Sequence, residues 1–214
     1  MERKPMDVYV VVVGTIETNC YLAASEKKNC AVIDPGANGE KILGEIEEYG
    51  LTPQYIVLTH GHYDHTGAVK AVKEKFPQAK VCISGEDEEM FHDFKKCMAP
   101  PSYAKSGNYD GLAADVLLKD GDTITLDELT FQVIATPGHT KGGISLVCGD
   151  ALFTGDTLFC GTVGRTDLYG GSYEAIVDSV NRLASLPGDY SVFPGHSKLT
   201  TLEEERQTNP YIGK

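Results

Sequence analysis

The stretch Thr59-His60-Gly61-His62-Tyr63-Asp64-His65-Thr66-Gly67 sets three histidines and an aspartate within six consecutive positions, directly after the apolar run Tyr55-Ile56-Val57-Leu58. Imidazole and carboxylate at this density are ligands for divalent metals of hard-to-borderline character. His60 and His62, two apart, can face one side of an extended loop. Asp64 and His65 leave the turn in another direction, so the stretch predicts two adjacent metal positions rather than one. A polar loop that only caps a helix, with Asp64 or Thr66 as N-cap, accounts for one residue and not for three histidines. Capping can hold in addition.

Three later apolar runs end in the same way. Residues 133–135 lead into Thr136-Pro137-Gly138-His139, 151–153 into Thr154-Gly155-Asp156, and 192–193 into Pro194-Gly195-His196. Loops at strand ends gather on one rim of a sheet, where binding and catalytic groups are displayed. A glycine in each of the four loops lets the backbone turn sharply there. Five of the six histidines thus converge with Asp64 and Asp156. The donors are nitrogen and oxygen with no thiolate, which permits zinc, iron or manganese. Seven ligands exceed what one tetrahedral ion takes and fit two ions that share a bridge. His60, His62 and His139 would hold the first ion, Asp64, His65 and His196 the second, and Asp156 would bridge them. Two such ions, roughly 3.5–4 Å apart, generate hydroxide near neutral pH and polarise a carbonyl or phosphoryl oxygen. The remaining histidine, His92, is expected on a solvated helix face.

The 214 residues fit one domain, 1–214, with a substantial core. Apolar content of 41% and charged content of 23% are those of a soluble globular protein. No apolar run is long enough to span a bilayer, and Met1-Glu2-Arg3-Lys4-Pro5 opens no signal peptide. A cytoplasmic location and no membrane partner are therefore expected. A net charge of −12 argues against a nucleic-acid partner, which wants clustered Lys and Arg. Of six cysteines, Cys20, Cys30, Cys82 and Cys148 sit in apolar, strand-like runs, and no CxxC pair exists. All six are expected as free thiols in a reducing compartment. Cys160, four residues after Asp156, is expected to be a pocket-wall residue.

Strands are expected at 8–13, 20–24, 30–34, 54–58 and 79–84, then at 116–119, 123–126, 129–135, 144–148, 151–154 and 190–194. Helical spacing predicts helices at 38–49, 67–76, 86–98 and 172–186. The third of these opens on the acidic run Glu86-Asp87-Glu88-Glu89, as suits a helix N-terminus. Asp34-Pro35-Gly36 reads as a turn, with support of the metal loop a lesser role for Asp34. Residues 99–114 are irregular and rich in Gly, Pro, Ser and Tyr, which suggests a substrate lid. Both halves mix strands and helices, so sheets with helices packed outside are expected.

These residues resemble the metallo-β-lactamase superfamily, whose His-x-His-x-Asp-His signature is met at 60–65, followed in order by His139, Asp156 and His196. The match runs from about residue 8 to 211. The resemblance implies an α/β fold, a four-layer αβ/βα sandwich with the metals in a groove at one edge of two sheets. Gly155-Asp156-Thr157-Leu158-Phe159, with Gly164-Arg165-Thr166-Asp167, is similar to glyoxalase II-type hydrolases, the hydroxyacylglutathione hydrolases. Pro194-Gly195-His196, Thr200-Thr201, Glu205 and Asn209-Pro210 are similar to the short bacterial members. That resemblance implies two divalent ions, zinc in the first place with iron or manganese as alternatives. It also implies hydrolysis of a small thioester such as S-D-lactoylglutathione by a metal-bridging hydroxide. Asp64 would orient that nucleophile, and Arg165 would meet the glutathione portion or else pair with Asp167. The helical domain that follows in full-length relatives is not met before Lys214. Lys141, Ser197 and Tyr63 replace residues common in relatives, which bears on thiol specificity.

The main rival is a persulfide dioxygenase, a related enzyme with the same Gly-Arg-Thr-Asp segment. It would hold one iron on His60, His139 and Asp156. A lactonase, a phosphodiesterase and a non-enzymatic metal-binding module stand further back.

Overall fold

The computed structural model describes residues 6–104 and 111–214. The chain opens with three strands, β1 (Asp7–Val13), β2 (Thr18–Ala24) and β3 (Asn29–Ile33), then α1 (Gly39–Glu48) and β4 (Thr52–Val57). Two short helices follow, α2 (Tyr63–Thr66) and α3 (Val69–Lys75), then β5 (Lys80–Ser84), a 3₁₀ turn (Glu88–His92), α4 (Pro101–Ala104) and β6 (Val116–Leu118). The second half runs β7 (Thr123–Leu126), β8 (Leu129–Ala135), β9 (Ile144–Cys148), β10 (Ala151–Gly155), β11 (Leu158–Phe159) and β12 (Thr162–Val163). It closes with α5 (Tyr173–Ala184), β13 (Ser191–Pro194), β14 (Thr200–Thr201) and α6 (Leu202–Thr208).

One six-stranded sheet has the order β1-β2-β3-β4-β5-β6 and the other β14-β13-β10-β9-β8-β7, with β11–β12 a separate hairpin. Strands β3 to β6 pair in parallel, and β10 with β13 is the parallel pair of the second sheet. Alternation along the strands sorts side chains into layers. From β3, Cys30 and Val32 face α1 and α3, where they meet Ile42, Ile46, Val69 and Val72. Ala31 and Ile33 face the other sheet and join Tyr21, Phe131, Leu146 and Phe153. On the far side, Ile134, Leu152 and Val192 pack with Val180, Leu183 and Leu202 of α5 and α6. The result is helices, sheet, sheet, helices, the four-layer αβ/βα sandwich expected from the sequence. Strand β2 is buried along its whole length because it faces both cores. The two sheets are tied at the metal-loop end by Ile144 N–H donating to Thr59 O at 2.8 Å.

Several elements depart from expectation. The helix expected at 67–76 is met as α3, and a separate short helix, α2, precedes it; Gly67 and Ala68 part the two because they pass close under neighbouring backbone. A Cβ on Gly67 would stand 2.5 Å from Gly36 O, and Ala68 N–H leaves the helix to reach Pro35 O at 2.8 Å. The helix at 86–98 shrinks to the 3₁₀ turn, since the Asp93 carboxylate takes the amides of Lys95 and Lys96. That local turn competes with helix continuation, and Met98 adopts a left-handed φ of 61°. Strand β14, helix α6 and the β11–β12 hairpin are additions that the sequence reading lacks. Of the supposed lid at 99–114, residues 105–110 lie outside the described residues, while Tyr103 packs its ring 5.4 Å from that of Tyr63. His92 is exposed as expected and pairs with Glu88 at 3.3 Å. None of the six cysteines forms a disulfide among the described residues. Among the described residues, no helix is long and apolar enough to cross a membrane.

Candidate metal centre

The four loops do meet. β4 delivers His60 and His62, with His65 on α2; His139 follows β8, Asp156 follows β10 and His196 follows β13. The backbone fixes these loops to one another. Gly195 N–H donates to Gly155 O at 2.8 Å, and Asn19 N–H to Gly195 O at 2.8 Å. Gly195 is required by space, because an added Cβ would stand 2.2 Å from Asp156 Oδ1 and 2.7 Å from His65 Cε1.

Three groups of donors each lie close enough to hold an ion: His60, His62 and His139; His60, His65 and Asp156; and Asp64, His65 and His196. Their ligand atoms lie within 4.8 Å of one another. His62 Nδ1 is 2.9 Å from His139 Nε2, and His65 Nε2 is 3.3 Å from His196 Nε2. Asp156 lies between the two ends, with Oδ2 at 3.4 Å from His139 Nε2 and 3.6 Å from His196 Nε2, and Oδ1 at 3.3 Å from His65 Nε2. Asp64 Oδ2 sits 3.2 Å from His196 Nε2 and 3.3 Å from His65 Nε2.

The outward nitrogens are held by the protein. His65 Nδ1 meets Asp34 Oδ2 at 2.9 Å, His139 Nδ1 meets Arg165 O at 2.7 Å, and His196 Nδ1 meets Ile16 O at 3.1 Å. Such bonds fix tautomer and ring orientation so that Nε2 faces inward, as metal-ligating imidazoles require. Asp34 therefore does more than turn the chain, which corrects the turn reading. Its buried carboxylate also accepts from Thr59 N–H at 2.8 Å and Thr59 Oγ1 at 2.6 Å. Helix α2 has His62 as its N-cap with no side-chain cap bond, so neither Asp64 nor Thr66 caps it.

Electrostatics divide the cluster. Burial, with His139 close by, lowers the His62 imidazole to about 4, and burial with three neighbouring imidazoles lowers His60 well below the usual histidine value. Both are thus neutral at pH 7, the form that binds metal. Burial opposes a charge on His65 as well, yet Asp64, Asp156 and Asp34 together hold it well above the ordinary value. For Asp64 and Asp156 burial would raise the carboxyl, but His65 and its neighbours drive both below the usual carboxylate range.

The donor set passes a direct test of fit to metal. His60 Nε2, His62 Nε2 and Asp156 Oδ1 are buried polar atoms without a hydrogen-bond partner. Leaving such atoms unpaired costs about 1–3 kcal/mol each, so a cluster of them needs a ligand. Divalent ions accept N and O donors of this type.

Arg165 is apart from this cluster. Its guanidinium is exposed and makes two bonds to Asp167, at 2.8 and 2.7 Å, while its carbonyl braces His139. Asp87 belongs to the acidic run Glu86–Glu89, yet its side chain is buried beside the metal loops, and the spacing of that run carries no sign of it. Burial pushes its carboxyl up, with Thr140, Gly142 and Gly61 drawing it back.

A two-sheet sandwich with a cluster of nitrogen and oxygen donors at one edge is the architecture of the metallo-hydrolase superfamily. The chain belongs to the metallo-β-lactamase superfamily, whose family model matches residues 13–196. Hydroxyacylglutathione hydrolase GloC of Haemophilus influenzae is 34% identical over 211 residues, 97% of this chain and 98% of that protein. The BLEG-1 B3 metallo-β-lactamase has the same fold with a TM-score of 0.88 and 33% identity, over 97% of this chain and 100% of that one. TTHA1623, whose structure is a di-iron-bound form, gives a TM-score of 0.78 and 35% identity, over 96% and 100%.

Proposed function

We propose that the protein hydrolyses a small thioester, with S-D-lactoylglutathione as the model substrate, at a centre of two divalent ions. The observation that carries this reading is the place of Asp156, within 3.3–3.6 Å of histidines from both ends of the cluster. His60, His62 and His139 would hold one ion and Asp64, His65 and His196 the other, with Asp156 placed between the two sets. Metal ions at these positions would supply a hydroxide near neutral pH and a Lewis acid for the thioester carbonyl. The donors permit zinc, iron or manganese alike; the resemblance puts zinc first, and the di-iron relative supports the pairing of ions.

The chain's own groups then have defined tasks. Asp64, held ionised by His65 and His196, is an acceptor that orients the attacking oxygen, and Thr18 Oγ1 steadies it at 3.4 Å. Arg165 is the substrate-binding residue: a glutathione carboxylate replaces Asp167 on its guanidinium in the same bidentate geometry. The identity to GloC along the whole chain supports the thioester and the thiol. The test is the kinetics of Arg165→Ala. KM for S-D-lactoylglutathione is expected to rise about 10-fold or more with kcat and melting temperature unchanged. An unchanged KM refutes the role of Arg165, and absence of thioester hydrolysis in the wild type refutes the substrate class.

A further inference from the structure

Two buried carboxylates near the centre are not placed as ligands. Asp34 braces His65, as described above. The other, Asp87, stands just after β5 and is wholly buried. Its Oδ2 accepts from Gly61 N–H at 3.1 Å and from Thr140 Oγ1 at 2.6 Å, and its Oδ1 accepts from Gly142 N–H at 2.8 Å. Gly61 lies between His60 and His62, and Thr140 follows His139. The carboxylate thus joins the two loops that carry His60, His62 and His139.

The surroundings are built around it. A Cβ on Gly142 would stand 2.7 Å from Asp87 Cγ, and one on Gly61 would stand 3.0 Å from Asp87 O and 2.6 Å from Met90 Sδ. Asp87 itself is fixed by its N–H on Ser84 O at 3.1 Å and by Met90 N–H on its carbonyl at 3.0 Å. All three donors to the carboxylate are neutral. Burial of a carboxylate among neutral donors is costly, and a cation held by three neutral imidazoles next door offsets that cost.

We propose that Asp87 is a positioning residue for the first metal position. It locks the His60–His62 loop to the His139 loop at the spacing an ion on those three histidines needs, and it supplies the neighbouring negative charge. This rests on the two-metal reading above.

The experiment titrates the full metal-free chain with Zn²⁺ and follows the imidazole signals by ¹H–¹⁵N NMR. Asp87→Asn conserves volume, yet either orientation of the amide turns an NH₂ group toward Gly61 N–H or Gly142 N–H. In Asp87→Asn the signals of His60, His62 and His139 should need about 10–100-fold more free zinc than in the wild type. Those of His65 and His196 should respond at wild-type concentrations. Thr140→Val removes one of the three bonds and leaves the carboxylate in place, so it should show the same selectivity at smaller size. It carries the test if Asp87→Asn does not fold.

Equal zinc response in variant and wild type overturns the inference. So does an equal weakening of all five histidines, which is what a merely structural tie would give. A wild type that binds zinc at neither position overturns the two-metal reading and this inference with it. Selective loss without any thioester hydrolysis sinks the proposed substrate and leaves Asp87 in its role.

Discussion

Asp34→Ala is the perturbation whose magnitude follows most directly from the geometry. The buried carboxylate accepts three hydrogen bonds, from Thr59 N–H, Thr59 Oγ1 and His65 Nδ1. Its removal strands two donors. The Thr59 hydroxyl can turn to His60 Nδ1, 3.1 Å away, whereas Thr59 N–H and His65 Nδ1–H have no such second choice. At about 1–3 kcal/mol for each stranded buried donor, the loss is about 2–6 kcal/mol. Alanine adds roughly 1–2 kcal/mol because the residue has a left-handed φ of 52°. Set against a total stability of about 5–15 kcal/mol, the combined loss of about 3–8 kcal/mol is severe, and it should lower Tm by roughly 6–30 °C. Urea denaturation of the metal-free protein measures it. Asp34→Asn keeps one acceptor and tolerates the left-handed backbone, so it should lose about 1–3 kcal/mol. An alanine variant within about 0.5 kcal/mol of the wild type, the range of an ordinary surface change, would refute the reasoning.

Three further outcomes are expected. Gly195→Ala drives a methyl group against Asp156 Oδ1 and His65, so plasma mass spectrometry of the purified variant should find fewer ions per chain; full loading would contradict the close packing. A thiol reagent at neutral pH should modify Cys160 fast and the five buried thiols slowly, since burial alone pushes Cys30 to about 12; Cys160→Ser should abolish the fast phase, and fast labelling that survives it would be contrary. Bonds from Ser25, Asn29 and Lys27 lower Asp127 to about 2. A depressed carboxyl stabilises the fold above its unfolded value near ~3.9 and loses that effect as pH falls through the folded value. The Tm gap between wild type and Asp127→Asn should therefore be full at about pH 5 and close toward about pH 2, and a gap that widens on acidification would be opposite in sign.

The candidate ligands were legible in the sequence because they cluster in loops that follow strands, Asp156 directly after β10, His196 two residues after β13 and His139 four after β8, and strand ends share a rim. The four layers came from the resemblance to the superfamily; strands such as β3, buried on both faces, read as unbroken apolar runs and do not show by themselves which side chain enters which core. Less of the support was legible. Asp34 looks like a turn residue and Asp87 like a helix start, since local sequence says nothing of the loops that arrive from residues 59 and 140. Helix 86–98 failed for a related reason: acidic residues and apolar spacing favour a helix, but Asp93 spends its carboxylate on the amides of Lys95 and Lys96. Helix α6 is short and acidic, and its anchor is the buried Glu205, which holds Gly161 N–H and Thr200 Oγ1 across the fold. Contacts of that kind leave no periodic trace.

The most direct test of a two-ion thioester hydrolase joins metal content to turnover on one preparation. Two divalent ions per chain are predicted, with hydrolysis of S-D-lactoylglutathione that falls with chelation and is lost when His62 and Asp64 are both replaced by Ala. A single iron per chain, with oxygen uptake on glutathione persulfide and no thioester hydrolysis, would contradict it.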